Sequence, residues 1–150
     1  MTTSTLDVSA LGPPRSRALA RYVPIVARVL LGLVFFVLGL DGFLHFVPQP
    51  STPLPEAAMA FFGALIKTGY MIPLIKGVEV TVGILLLTNR FVPLALALIA
   101  PLVVNIFLFD TVLAPKGAVI GAVVLGLELY LAWSYRKEYR SMLAMRATPG

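Results

Sequence analysis

The sequence predicts an all-α membrane protein: a bundle of four transmembrane helices, with both termini cytoplasmic and a short interfacial helix in the first extracytoplasmic loop. Three observations predict this fold. Apolar residues make up 59% of the 150-residue chain, and the mean hydropathy of +0.93 exceeds that of soluble domains. Four apolar runs approach the ~20 residues that cross a ~30 Å hydrocarbon layer. Basic residues collect on one side of these runs if each run crosses the membrane.

The first helix is predicted at residues 25–46. Residues 1–24, which contain Ser, Thr, Pro and three arginines, predict a disordered cytoplasmic tail. A signal peptide is the alternative reading, because basic residues precede the apolar run. The run exceeds a signal core of about 7–15 residues, and no A-x-A-like cleavage site follows it. We therefore interpret the run as a transmembrane helix.

The other helices of the membrane domain, which covers residues 25–140, are separated by short turns. They are predicted at residues 71–87, 91–109 and 118–135. Turns at residues 88–90 and 115–117 are so short that the helices they join must be antiparallel neighbours. A segment at 53–68 that ends before Gly69 is too short to span the membrane, which predicts an interfacial helix lying over the mouth of the bundle. Residues 141–150 are predicted to form a second cytoplasmic tail.

The distribution of charge predicts topology rather than a nucleic-acid partner. A net charge of +5 would suggest nucleic acid for a soluble protein. With four crossings, however, nine of the twelve Lys and Arg residues fall on one side. They are Arg15, Arg17, Arg21, Arg28, Arg90, Arg136, Lys137, Arg140 and Arg146. The pattern predicts a multi-pass protein of the bacterial inner membrane, with the lipid bilayer as its partner.

Cysteine and histidine usage excludes several kinds of site. The chain has no cysteine, which rules out a disulfide framework, thiolate metal sites and thiol redox relays. Its single histidine rules out haem ligation by two histidines of one chain. Zinc would prefer three or four ligands with His or Cys prominent, so we predict no metal site.

Polar or ionisable residues at similar depth in the predicted helices form the main candidate ligand-binding site. They are Asp41, His45, Lys76, Glu79, Asn105 and Asp110. A charged residue in hydrocarbon costs about 2.5–3.5 kcal/mol on insertion scales, so such residues tend to face one another or a wet cavity. The spacing places Asp41 and His45 on one helical face. The alternative is a structural role, in which interhelical hydrogen bonds contribute about 0.6–2 kcal/mol each.

Glu128 is a separate candidate. It lies ~15 Å into the fourth predicted helix, near the middle of the membrane. A carboxyl at that depth is expected to be protonated or paired. The sequence leaves two readings open, a proton relay and a neutral acid hydrogen-bonded across the bundle.

The order of small, aromatic and polar residues resembles that of the DoxX-like membrane proteins over roughly residues 25–140. The matching stretches in the first helix and its loop are Arg28–Gly32, Phe35-Phe36, Gly39, Gly42–Phe46 and Pro48–Pro50. Those in the next two helices are Thr68–Tyr70, Pro73-Leu74, Lys76, Glu79, Gly83, Leu85–Leu87, Pro93–Leu96, Ala100-Pro101 and Val104–Ile106. Similar members often carry His at the position of Asp110, and that departure weakens any two-histidine metal or haem site.

The resemblance implies a four-helix membrane bundle. Some relatives are similar to the small membrane subunit of a thiosulfate:quinone oxidoreductase or associate with redox enzymes. The first functional hypothesis is therefore a redox-associated subunit that binds a quinone or similar amphipathic ligand at the polar cluster. A proton-coupled transporter or exporter is the second hypothesis, and four helices would then require a homodimer. The third is an assembly or scaffold protein without a ligand.

Overall fold

The computed structural model describes residues 15–48 and 53–140, and within these ranges the ordered elements are all helical. The five α-helices of the described residues are α1 (Arg15–Leu44), α2 (Glu56–Lys67), α3 (Met71–Leu87), α4 (Val92–Leu108) and α5 (Ala118–Ser134). A π-helical turn, Phe109–Leu113, continues α4, and 3₁₀ turns lie at Pro115–Gly117 and Glu138–Arg140. The sequence-based prediction of an all-α fold is confirmed.

Helix boundaries agree with prediction best where turn residues mark them. Helix α3 has the predicted bounds. Helix α4 is one residue shorter than predicted at each end, and α5 is one residue shorter at its C-terminal end. Helix α1, in contrast, begins ten residues before its predicted start. Residues 15–24 were predicted as part of the disordered tail, but they are helical because Ala, Leu and Arg favour helix there. Residues 1–14 and the predicted tail at 141–150 lie outside the described residues.

Four of the helices pack side by side as a bundle. Helix α1 contacts α3 and α5, and α4 contacts the same two helices, so the order around the bundle is α1, α3, α4, α5. Neighbours in this order are antiparallel, since Gly32 of α1 faces Leu86 of α3 while Gly42 faces Lys76. We call the end where α1 begins and α5 ends the termini end. The opposite end, where α1 ends and α5 begins, is the loop end.

The length and surface of the bundle suit a hydrocarbon environment. Three helical stretches are long and apolar enough to cross a membrane: Tyr22–Leu44, Val92–Leu113 and Pro115–Ser134. Helix α3 has 17 residues and is about 26 Å long at 1.5 Å per residue. It is long enough to cross a membrane only when counted together with α2, and the two helices are bent by 93° relative to each other. Large apolar side chains such as Leu33, Leu98 and Val123 are exposed on the outside.

Helix α2 lies across the loop end, in the region where an interfacial helix was predicted. The chain turns from α2 into α3 at Gly69, whose φ of +75° is a left-handed conformation that glycine adopts without steric cost. Phe61 and Phe62 of α2 contact Phe109 in the π-helical turn, with ring centroids 5.6 and 5.0 Å away. This aromatic cluster attaches α2 to the end of α4.

The tightest contact in the bundle joins α1 to α3. A Cβ atom built on Gly83 would lie 2.6 Å from the backbone nitrogen of Phe36, and one on Gly39 would lie 2.8 Å from the backbone nitrogen of Val80. The two backbones therefore meet directly, as in membrane helices that associate through small residues. Small residues therefore set the closest approach of the two helices at this α1–α3 seam.

We expect Gly83→Ala to separate α1 from α3, because its methyl group would overlap backbone atoms that cannot rotate away. The loss in free energy of unfolding should be about 1–3 kcal/mol, the usual cost of overpacking. Gly77→Ala is the matched control, since a Cβ at Gly77 meets nothing within 4 Å and alanine favours helix by about 1 kcal/mol over glycine. Far-UV circular dichroism during unfolding of both variants in mixed detergent micelles checks this. Equal stability losses would contradict the seam.

Candidate functional site

Lys76 and Glu79 form an ion pair inside the bundle. The Nζ atom of Lys76 donates to Oε2 of Glu79 at 2.8 Å, and the two side chains are 25% and 6% exposed. The pair lies against α1, because Gly42 contacts the Lys76 side chain and Gly39 contacts the Cβ of Glu79. Because these two glycines of α1 have no side chains, they leave space for the ion pair. Pairing also neutralises two charges, each of which would be costly to bury alone.

The predicted partnership of Asp41 and His45 is not formed. Helix α1 ends at Leu44, and His45 adopts a left-handed φ of +52°. The i,i+4 spacing brings side chains together only while a helix continues, and His45 is exposed beyond the end of α1. The Oδ1 atom of Asp41 instead accepts a hydrogen bond of 2.7 Å from the backbone N–H of Val47. Asp41 therefore closes the turn that follows α1.

Asp110 belongs to the contact between α4 and α5. It lies in the π-helical turn, and its carboxylate lies against Gly117 and Gly121 at the start of α5. A Cβ atom on Gly121 or Gly117 would lie 2.8 Å from one of its oxygens, so both glycines are needed for this approach. The positive end of the helix dipole favours a carboxylate here. Asp110 thus has a local partner on α5.

Asn105 lines a cleft that opens on the outside of the bundle, which we call the lateral cleft. The cleft has a volume of about 370 Å³ and lies beneath α2, between α3 and α4. Its walls include Phe61, Leu74, Ile75 and Leu102, and Asn105 is the only polar side chain in its lining. The amide is exposed and carries both donors and an acceptor. It can therefore orient a polar group within apolar walls.

The lateral cleft continues along the seam between α3 and α4. A second cleft of about 320 Å³ shares Leu74, Val78 and Leu98 with the first and extends to Gly77 and Thr81. From Met71 to Thr81 the groove runs about 15 Å along α3. Its lining is polar at Asn105 and largely apolar beyond it. This combination suits an amphipathic molecule with a small polar head and an extended tail.

The buried position of Arg28 was missed by the sequence reasoning, which used this residue only for topology. Its side chain is 7% exposed, and its Nη1 donates to the backbone carbonyl of Leu86 near the end of α3. A cation there satisfies a carbonyl of the last helical turn and opposes the negative end of the helix dipole. Leu31 and Phe35 follow Arg28 at i+3 and i+7 and are fully buried. That spacing could have placed Arg28 on the core face.

Glu128 is buried in α5 toward the termini end. It is 4% exposed, and its Oε2 atom has no hydrogen-bond partner among the described residues. The 3₁₀ turn that follows α5 brings Tyr139 back against the core. Burial, and secondly the negative charge of Glu128, raise the pKa of the Tyr139 phenol. The two groups therefore share one weakly hydrated region.

The structure divides the six cluster residues among separate places. It joins Lys76 to Glu79, ties Asp41 to the turn after α1 and places Asp110 against α5. Asn105 lies in the lateral cleft, and His45 is exposed at the loop end. Within residues 15–48 and 53–140, no three His, Asp or Glu side chains gather as a metal-binding group would. Of the six, Asn105 lies where a ligand could enter from the membrane.

We expect Lys76→Met to destabilise the protein by about 3 kcal/mol, since it leaves the Glu79 carboxylate buried without a partner. The double variant Lys76→Met with Glu79→Gln should recover more than half of that loss, because no buried charge remains. Lys67→Met, at the exposed end of α2, is the matched control and should change stability by less than about 0.5 kcal/mol. Unfolding in detergent, followed by circular dichroism, measures these three variants and Glu79→Gln alone. A double variant as unstable as the sum of its single variants would exclude a coupled pair.

Three comparisons with known proteins leave the family assignment open. No protein-family model matches this chain, and no curated protein and no solved structure matches it. The described residues by themselves establish an all-helical bundle with several helices able to span a membrane.

Proposed function

We propose that this chain is an integral membrane protein that binds a quinone or similar amphipathic molecule in the lateral cleft. Its membership of the DoxX-like family and its role as the membrane subunit of a redox enzyme are parts of the same proposal. The observation that carries it is the cleft itself. It is large enough for a small ligand and apolar except for Asn105. It also lies on the outside of the bundle, where molecules dissolved in the bilayer can reach it.

The position of Asn105 supports binding of a polar head group. It lies eight residues before Leu113, where the apolar stretch that begins at Val92 ends, about 12 Å along the helix axis. At that depth a ring carrying carbonyl groups would lie within the half of the membrane that is nearer the loop end. The Asn105 amide can donate a hydrogen bond to a quinone carbonyl. Water cannot easily donate that bond, because the walls of the cleft are apolar. Such a hydrogen bond contributes about 0.5–1.5 kcal/mol.

The groove beyond Asn105 supports binding of an apolar tail. It follows α3 past Gly77, where a Cβ atom would meet nothing within 4 Å. Glycine therefore leaves this part of the groove unfilled. An isoprenoid or acyl chain lying there would bury apolar surface against α3 and α4 in place of bulk lipid. Packing of this kind is the main source of affinity within a membrane.

We expect Asn105→Leu to weaken binding of a long-tailed ubiquinone about tenfold, which corresponds to about 1.4 kcal/mol. Gly77→Leu should weaken the same ligand while leaving a tail-less analogue unaffected, since the new side chain fills only the groove. Fluorescence quenching of Trp133, or native mass spectrometry of detergent-purified protein, gives the affinities. Gly126→Leu is the control, because Gly126 in α5 is equally unobstructed.

Two results would exclude the lateral cleft as the quinone site. One is unchanged affinity in both Asn105→Leu and Gly77→Leu. The other is loss of binding in His45→Ala, since the exposed imidazole lies at the loop end and outside the lining of the lateral cleft. A wild-type protein that retains and binds no quinone would exclude this ligand class altogether.

We also propose that four helices cross a bacterial inner membrane with both termini in the cytoplasm. Nine of the twelve basic residues would then lie on the cytoplasmic side, as the positive-inside rule favours. Helix α3 lies alongside α1 and α4, so its 17 residues would form the fourth crossing despite their short length. Helix α2 would lie in the outer interface.

Reporter fusions test this topology. A reporter that is active only in the cytoplasm should be active when fused after Gly150 or inserted at Asn89 in the turn between α3 and α4. It should be inactive when inserted between Pro48 and Pro53. Activity at the loop insertion with inactivity at Gly150 would reverse the orientation. Opposite results at Asn89 and Gly150 would mean an odd number of crossings between them.

A further inference from the structure

Glu128 is a buried acid to which the ligand proposal gives no role. Only 4% of the residue is exposed, and its Oε2 has no partner among the described residues. Glu79 is nearly as buried at 5% exposure, but Lys76 neutralises it at 2.8 Å. The bundle therefore contains two buried glutamates of opposite kinds. One is ion-paired, and the other has no ion-pair partner among the described side chains.

Among the side chains that the structure describes, few charged or titratable groups lie around Glu128. Helix α4, which packs against α5, has no ionisable residue between Val92 and Leu108. Helix α1 contributes Arg28, whose Nη1 donates to the carbonyl of Leu86 and whose buried Nε has no partner among the described residues. The π-helical turn contributes Asp110, which lies against Gly121, seven residues before Glu128. Tyr135 and Tyr139, which follow α5, also pack on the core beside the termini end.

We propose that Glu128 is a proton-binding site that exchanges its proton with the termini end of the bundle, where Tyr139 shields it from water. The carboxylate takes up one proton to become the neutral acid and releases the same proton when water reaches it. A metal cation would need several oxygen ligands, whereas a proton needs only one carboxylate. An uncharged acid is also far less costly to bury than an ion.

Distance favours exchange at the termini end. Glu128 lies six residues from Ser134, the end of α5, and ten from Ala118, its beginning. These separations correspond to about 9 and 15 Å along the helix. Tyr139 follows the shorter path, and its hydroxyl can both donate and accept a hydrogen bond. This site is independent of the lateral cleft, so either proposal can fail without the other.

Carbodiimide labelling of the full chain in membranes tests the proposal. Dicyclohexylcarbodiimide partitions into apolar regions and reacts with protonated carboxyl groups. We expect it to label Glu128, with labelling falling about tenfold per pH unit above the pKa of that carboxyl. Glu79, which is paired with Lys76 at 2.8 Å, should be labelled about tenfold less. Peptide mass spectrometry assigns the label, and Glu128→Gln should abolish it.

A water-soluble carbodiimide tests the shielding by Tyr139. It should not label Glu128 in the wild-type protein or in Tyr139→Phe, which keeps the ring. It should label Glu128 in Tyr139→Ala, with circular dichroism confirming that the helices remain. Absence of dicyclohexylcarbodiimide label at Glu128, or equal labelling of Glu79, would overturn the proton site. Rapid labelling of wild-type Glu128 by the water-soluble reagent, or none in Tyr139→Ala, would overturn the shielding.

Discussion

Direct contact between the backbones of α1 and α3 determines where the other parts of the bundle lie. Lipid chains are as apolar as leucine, so membrane helices gain little by hiding apolar side chains from them. They associate where surfaces fit closely, and Gly39 and Gly83 allow that fit here. The same seam accommodates Lys76 beside Gly42 and lets Arg28 reach the carbonyl of Leu86. Polar groups on α1 and α3 thus depend on the glycines for their positions.

Polar side chains in the bundle follow one physical rule. Hydrocarbon offers no hydrogen bonds, so each group is stabilised by the nearest donor or acceptor that the fold supplies. Glu79 has Lys76, Asp41 has the Val47 amide and Asp110 has the N-terminal end of α5. Asn105 and Glu128 differ from these in complementary ways. Asn105 is exposed in an apolar cleft, whereas Glu128 is enclosed and its Oε2 has no partner in the described part of the chain. These two residues therefore carry the two functional proposals.

Sequence reasoning predicts most of the helical framework here. The length of the apolar runs predicts a membrane protein, and the residues around Gly69 and Asn89 predict both ends of α3. The start of α1 was missed although Gly12, Pro13 and Pro14 mark a boundary directly before Arg15, because residues 1–24 were interpreted as one tail from their Ser, Thr, Pro and Arg content. Pro24 also lies within α1, although proline is usually a helix breaker.

The sequence predicts the candidate site less completely than the fold. It predicts depth, since rise per residue is fixed, but it does not predict which group each side chain meets. The i,i+4 argument for Asp41 and His45 assumed a helix that continues, and α1 ends one residue before His45. The lateral cleft was also beyond prediction. It is formed by three helices, and its position depends on the 93° bend between α2 and α3.

Disulfide cross-linking in native membranes tests the α1–α3 seam most directly, because the chain has no cysteine of its own. A Cβ atom on Gly32 would lie 3.1 Å from the Cβ of Leu86, near the separation of about 3.5–4.5 Å found in disulfides. The double variant Gly32→Cys with Leu86→Cys should therefore cross-link rapidly under mild oxidation. The control pairs Leu86→Cys with Leu33→Cys, whose native leucine is 44% exposed on the outside of α1. Equal cross-linking of both pairs, or none in the first, would contradict the account.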